Sequence, residues 1–243
     1  QSPPTMSPRV SVCVPTYNGA AYLRRALDSA RRQSFRDFEL LAVDDGSTDG
    51  TRELLRAYAR REPRLRVVEN PARLGLVGNW NRCVRLARGE WVKFLFQDDA
   101  LAPRALERML AAAGPRDMLV VCRRRLRFEP GVGPALRRLY RDHLREHSIP
   151  ARFPGRARVS AAEFADRFVE LPGLNCVGEP TATLVRREAF RRWGLYDPEL
   201  VMLCDWELAA RVAVNAGLVW VDDALALFRV HPRAESAANR RGR

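Results

Sequence analysis

One lysine, Lys93, stands among 42 basic residues in a chain of 243, so the net charge of +13 is carried almost wholly by arginine. A coding preference for arginine explains much of such a bias. The charge alone therefore selects no partner, since an anionic nucleotide, an acidic lipid surface and a phosphate-bearing acceptor all suit it. No C-x-x-C pair occurs, and Cys13, Cys83, Cys122, Cys176 and Cys204 are odd in number and scattered. This spacing suggests neither zinc nor thiol exchange and leaves reduced, packed thiols. No apolar run reaches the roughly 18 residues that a membrane helix needs, and the first eight residues lack a charged-then-apolar leader. A soluble, cytoplasmic protein is expected, with contact at the inner face of a membrane left open, as is the native status of the residues before Met6. An apolar share of 47% with 8% aromatics is that of a folded chain, and the length suits one domain over residues 1–243.

Strand and helix patterns alternate through the first half. Residues 9–15 (RVSVCVP), 38–43 and 65–69 read as strands, and 20–33, 49–61 and 77–87 read as helices, the last ended by Gly89. Residues 90–96 (EWVKFLF) read as a buried strand that delivers Gln97, Asp98 and Asp99 to its C-terminal edge, where open α/β sheets bind ligands. The class is therefore α/β, Rossmann-like, with a mainly parallel central sheet flanked by helices. After a helix near 103–113 and a strand near 118–122, the pattern loosens at Arg123 into an arginine-rich segment reaching residue 158. Within it, residues 134–147 form a helical pattern with apolar positions near one face and Arg137, Arg138, Arg141 and Arg145 around the rest. That suits a solvated helix, or one docked on acidic lipid or a charged acceptor. Further on, 160–168 and 204–216 look helical, and 181–185 and 219–230 look extended.

Gln97-Asp98-Asp99 is the strongest local signal. Adjacent acids at a buried sheet edge repel unless a cation or hydrogen-bond donors compensate. Magnesium or manganese would do so, because both take oxygen ligands from one or two carboxylates plus substrate phosphates. Capping of the next helix is the competing reading. Asp44-Asp45, followed by Gly46-Ser47-Thr48-Asp49, repeats the layout; capping accounts for the later residues but not for the pair. A carboxylate there suits a base ring N–H, and Pro15, Thr16, Tyr17 and Asn18 supply a kink, a stacking ring and a turn.

Taken in order, VSVCVPTYNG, FELLAVDDGSTDGT and NPARLGLVGNWNRCVRLARGEWVKFLFQDD resemble family 2 of the inverting glycosyltransferases, which have the nucleotide-sugar-binding GT-A fold. The resemblance implies a nucleotide-sugar-binding half, 9–122, and an acceptor-binding half with a variable C-terminal region, 123–243. In the first it implies that Pro15, Thr16, Tyr17, Asn18 and Asp45 hold the base and that Arg73 and Asn81 contact donor phosphates or base. Gln97 and Asp98 complete the donor site, with Asp98 at the ribose or metal shell, and Asp99 binds Mn²⁺ or Mg²⁺. Leu203-Cys204-Asp205-Trp206-Glu207 resembles the acidic motif beside the acceptor, with Cys204 where a Glu is usual. Asp205 is thus the candidate general base. Glu207 is its competitor and Trp206 an acceptor neighbour. Gly178-Glu179-Pro180-Thr181 resembles the border of the acceptor pocket and puts Glu179 on sugar hydroxyls. Phe228-Arg229-Val230-His231, followed by Ser236, resembles the segment where a histidine approaches the metal, with Arg229 countering phosphate charge.

The activity so implied moves a sugar from a UDP, dTDP or GDP type donor onto a hydroxyl of a glycan, a lipid-linked sugar or a small metabolite. A nucleotidyltransferase on a similar sheet would need a glycine-rich basic loop after the first strand, where PTYNGAAYLRR stands instead. A basic nucleic-acid or membrane-surface module would leave three acidic clusters unexplained, and nucleic acid is not an expected partner.

Overall fold

The computed structural model describes residues 7–170 and 175–232; the stretch before Met6 and Ser236 lie outside the described residues. Strand β1 (Val10–Thr16) is buried at every position. A strand covered on both faces needs apolar residues at odd and even places alike. Val10, Val12 and Val14 accordingly enter one core and Cys13 the other. Helix α1 (Ala20–Arg31) covers the first core with Leu23, Ala26, Leu27 and Ala30, the spacing of one helical face. The unit repeats through β2 (Phe38–Asp44), α2 (Thr51–Ala59), β3 (Leu65–Glu69), α3 (Gly75–Leu86) and β4 (Trp91–Phe94). These strands pair in parallel, in the order β3-β2-β1-β4. Thr16 lies opposite Asp44, and Asp44 opposite Glu69, so the strands finish flush and their following loops open on one edge.

The rest of the chain extends the same sheet. It comprises β5 (Ala100–Leu101), α4 (Ala105–Ala112), β6 (Leu119–Phe128), α5 (Pro134–His147), α6 (Ile149–Arg152), β7 (Arg158–Val159), α7 (Ala161–Glu170), a 3-10 turn (Pro180–Ala182), β8 (Thr183–Arg186), α8 (Arg187–Trp193), α9 (Cys204–Ala216) and β9 (Leu218–Val230). Among the described residues nine strands form one sheet, continuing β4-β8-β6-β9-β5 with β7 on β9. The parallel half comes from the first strands, whereas β8, β5 and β7 enter antiparallel.

One boundary needs correction. The loosening expected at Arg123 falls inside β6, which runs on to Phe128 through a register shift at Cys122 to Arg124. Arg123, Arg125 and Arg127 are exposed while Arg124, Leu126 and Phe128 turn inward. The strand period was present, with arginine occupying both faces. Helix α5 occupies the expected 134–147 and has no fully buried residue. Its Tyr140 ring lies 5.8 Å from Phe228, and the Arg137 and Arg141 guanidiniums lie over Phe128. All five cysteines are free and buried, as expected of packing thiols.

Candidate active site

At the ends of β1 and β2 two carboxylates are held by different donors. Asp44 is buried and accepts from the Thr16 hydroxyl at 3.0 Å, the Ser47 N–H at 2.9 Å and the Ser47 hydroxyl at 2.5 Å. It ties the two strand ends together, which commits Thr16 to the protein's own network. Asp45, 2% exposed, accepts from Asn70 Nδ2 at 2.9 Å and from the N–H groups of Leu74 and Gly75 at 2.7 and 2.9 Å. The last two donors open α3, where a negative charge is favoured. Asp45 thus fixes the Arg73-bearing loop. The Arg73 guanidinium lies 4.0 Å from the centre of the Tyr17 ring, giving a partly exposed flat platform. Asn18 turns the chain with φ of 47°, its Oδ1 accepting from the Thr48 N–H at 2.8 Å. Pro15 lies within β1 opposite Val43. Gln97 clamps Tyr17 by two 3.0 Å bonds, accepting from its N–H and donating to its carbonyl. A Cβ on Gly19 would lie 2.0 Å from Gln97 Oε1, so only glycine admits this clamp.

Beside Gln97 the acid pair divides. Asp99 is 1% exposed, with Oδ2 accepting from the Thr181 hydroxyl at 2.6 Å and Oδ1 from the Arg229 N–H at 3.0 Å. Burial first, then repulsion from Asp98, holds its carboxyl well above the usual carboxylate range. Neither acid caps a helix. Asp98 is the more open, and its Oδ2 lies 3.0 Å from His231 Nε2. The His231 ring packs 4.6 Å from Tyr22, and its buried Nδ1 has no hydrogen-bond partner among the described residues. Asp98 rather than Asp99 faces His231, while each oxygen of Asp99 accepts one hydrogen bond from the protein. Arg229, expected to counter phosphate charge, is 2% exposed; its Nε donates to the Asp98 carbonyl at 2.8 Å and its Nη1 pairs with Glu129. The only lysine was not foreseen here. Lys93 is fully buried, its pKa lowered to about 8 by burial, and donates to the carbonyls of Thr181 and of Thr183, the latter at 2.9 Å. It pins the turn that carries Thr181.

Across that turn lie the residues expected on the acceptor side. Glu179 Oε2 is 2.8 Å from Arg124 Nε, an inward residue of β6 that only the alternation in that strand could have revealed. Gly178, with φ of 95°, leaves room for Arg124, since a Cβ would meet its Nη1 at 1.9 Å. Asp205 sits in the first turn of α9, partly buried, accepting from the Trp206 N–H at 2.7 Å and bordering a small cavity with Gly178, Pro180 and Tyr196. Burial, and next the negative charge of Glu179, push its pKa up to about 7. Leu203, not Asp205, is the N-cap of α9. Glu179 also acts on Asp99, so it stands electrostatically between the two.

Three expected residues are turned to other work. Trp206 is 5% exposed and packs on Phe164 and Phe168 of α7, away from an acceptor role. Glu207 is locked by Arg211, which donates to it at 2.6 and 2.7 Å. Asn81 gives both ends of its amide to the Tyr196 backbone at 2.8 and 3.0 Å and is a strut between α3 and the segment before α9.

The model of glycosyl transferase family 2 matches residues 11–194, most of the chain. The chain belongs to that family. A putative glycosyltransferase of Bacillus subtilis, EpsH, is 34% identical over 155 residues, 63% of the transferase and 45% of EpsH. An uncharacterised protein of Mycobacterium tuberculosis is 31% identical over 235 residues, 91% of the transferase and 67% of the relative. The transferase thus spans less than half the length of EpsH and about two thirds of the mycobacterial relative. Among solved structures, Staphylococcus aureus TarS 1-349 in complex with UDP-GlcNAc superposes with a TM-score of 0.71 at 21% identity, covering 95% of the transferase and 60% of TarS 1-349. A Pyrobaculum calidifontis mannosyltransferase in complex with GDP-Man and Mn²⁺ gives 0.70 at 24%, covering 98% and 62%. Both show the fold, which is GT-A as the sequence implied. Among the described residues no helix is long and apolar enough to cross a membrane.

Proposed function

We propose that the transferase inverts configuration as it moves a sugar from a nucleotide diphosphate donor to an acceptor hydroxyl, with Asp205 as the base. One observation carries this reading. Contacts join the Tyr17 and Arg73 platform to Gln97, Asp98 to His231 and Asp99 to Thr181, chain neighbours link these pairs, and the charge of Glu179 acts on both Asp99 and Asp205. Both halves of the sheet supply these residues, which favours a single catalytic domain.

The platform offers a flat aromatic and cationic face to a base. Asp45 acts beneath it, holding the Arg73 loop, and Gln97 fixes the height of Tyr17. Asp98 and His231 would hold a divalent ion. The Asp98 carboxylate and the His231 imidazole, oxygen and nitrogen donors of the kind that such an ion takes, face each other at 3.0 Å. The described residues hold no group of three ligands, so donor diphosphate and water would have to supply the remaining ligands. Mn²⁺ or Mg²⁺ held there would neutralise the diphosphate and so favour it as a leaving group. Asp99 is a positioning residue that ties the Thr181 turn and β9 to the acid pair.

On the other side, Asp205 takes the acceptor proton as the hydroxyl oxygen forms its bond to the anomeric carbon and the bond from that carbon to the diphosphate breaks. A base with a pKa of about 7 is half ready at neutral pH and shifts little on taking the proton. Glu179, which sits beside Arg124 and whose charge reaches Asp205, would orient sugar hydroxyls. TarS and the mannosyltransferase were solved with UDP-GlcNAc and GDP-Man, and the same donor class suits these residues. The test is a melting panel of UDP, dTDP and GDP and their sugars with and without Mn²⁺, followed by transfer to glycan, lipid-linked and small hydroxyl acceptors. A metal-dependent rise for one base is expected. No metal-dependent rise with any base would overturn the donor reading.

A further inference from the structure

The parallel strands begin at an edge remote from this site. There Arg9 before β1, Arg88 in the turn before β4, and Arg187 and Arg191 of α8 line one cavity of about 360 Å³. The seven residues of β1 put roughly 20 Å between it and the donor side.

Two acids also line the cavity, and both are neutralised by other arginines. Glu90 pairs with Arg186, whose Nε further donates to the Asp117 carbonyl at 2.9 Å. Glu188 accepts from Arg192 Nε at 2.7 Å. Arg187 donates once, to the Ala87 carbonyl at 3.3 Å. Among the described residues the side chains of Arg9, Arg88 and Arg191 have no hydrogen-bond or ion-pair partner. Four arginines therefore line one cavity, and the side chains of three of them have no partner among the described residues. Their backbones are fixed, because the Arg88 N–H donates to Glu39 Oε1 at 2.7 Å, the Gly89 N–H to Ser11 Oγ at 2.8 Å and the Arg187 N–H to the Glu90 carbonyl at 2.8 Å. A Cβ on Gly89 would lie 2.5 Å from Ser11 N, so glycine lets that turn close on β1 and set Arg88 in the wall.

We propose that this cavity is a second anion site, which takes a phosphate-bearing ligand such as a diphosphate or a phosphate headgroup. Guanidinium forks match phosphate oxygens two at a time, and several such forks ask for more charge than one carboxylate carries. The volume lies in the range of about 300–1,000 Å³ usual for small-molecule sites. The proposal does not depend on the donor reading.

Calorimetry with sodium pyrophosphate in EDTA removes metal-dependent binding at Asp98 and His231 and isolates this site. Arg88→Ala/Arg191→Ala is compared with Arg60→Ala/Arg61→Ala, which removes the same charge from another exposed place, and melting curves confirm that both fold. Sedimentation with phosphatidic acid vesicles forms the parallel arm. The cavity variant is expected to bind at least tenfold more weakly than the wild type to one probe, the control variant within about threefold. Loss in the pyrophosphate arm assigns a soluble phosphate, and loss confined to the vesicle arm assigns a headgroup. If the two variants behave alike toward both probes, the overall charge of the chain explains any binding and the site is refuted.

Discussion

Replacing Asp205 by Asn is expected to stabilise the protein while abolishing turnover. Its carboxyl titrates near 7 in place of 3.8, which is about 4 kcal/mol of ionisation penalty at 1.36 kcal/mol per unit before screening. Asp205 is partly exposed, and water reduces this to roughly 1–2 kcal/mol. The sign follows from proton linkage. The folded state binds more protons than the unfolded between about pH 4 and 7, so stability falls across that window and stays low above it, where both states are ionised. Asn is neutral throughout and keeps an oxygen for the Trp206 N–H. At pH 8 the variant should therefore melt roughly 2–8 °C higher than the wild type. At pH 4 the two should coincide. Turnover should drop by about 10²–10⁴ on loss of the base, while wild-type turnover should rise with one proton's slope through pH about 7. Scanning calorimetry at both pH values and a transfer assay measure this. A lower melting point at pH 8, or retention of more than roughly a tenth of the turnover, would refute the assignment.

Asp98→Asn and His231→Ala should each remove the Mn²⁺-dependent part of the donor melting shift, and Asp99→Asn should keep it; the reverse would return the ion to Asp99. Gln97→Ala, which frees Tyr17, should weaken donor binding by about 1 kcal/mol, roughly fivefold in KM, with kcat little changed. Gly178→Ala forces a side chain onto a backbone at φ of 95° and into Arg124, so a stability loss of about 1–2 kcal/mol and a fall in kcat are expected from urea melts and kinetics. Lys93→Ala leaves the Thr181 and Thr183 carbonyls without their donor and opens a void, and a loss of about 3 kcal/mol should appear in the urea midpoint.

The first half was legible because its elements are short and each announces its own period. β3 and the α9 range were read to the residue, and β1 and β2 to within one. Local pattern also placed Gln97, Asp98 and Asp99 beyond a buried strand and Asp205 in a helix's first turn. Reading failed where arginine filled both faces of β6, since a period of two is visible only when the faces differ in polarity. Nor did it reveal that Trp206 and Glu207, the two residues after Asp205, turn to α7 and to Arg211.

The order and kind of the elements, and the acids at strand ends, were fixed by neighbours a few residues apart, and the sequence alone determined them. Which acid lies open and which is buried depended on partners far along the chain: His231 meets Asp98 across 133 residues, and Thr181 meets Asp99 across 82. Tertiary structure decided those roles, because a carboxylate's chemistry is set by the donors and charges packed around it and those arrive only when the sheet closes.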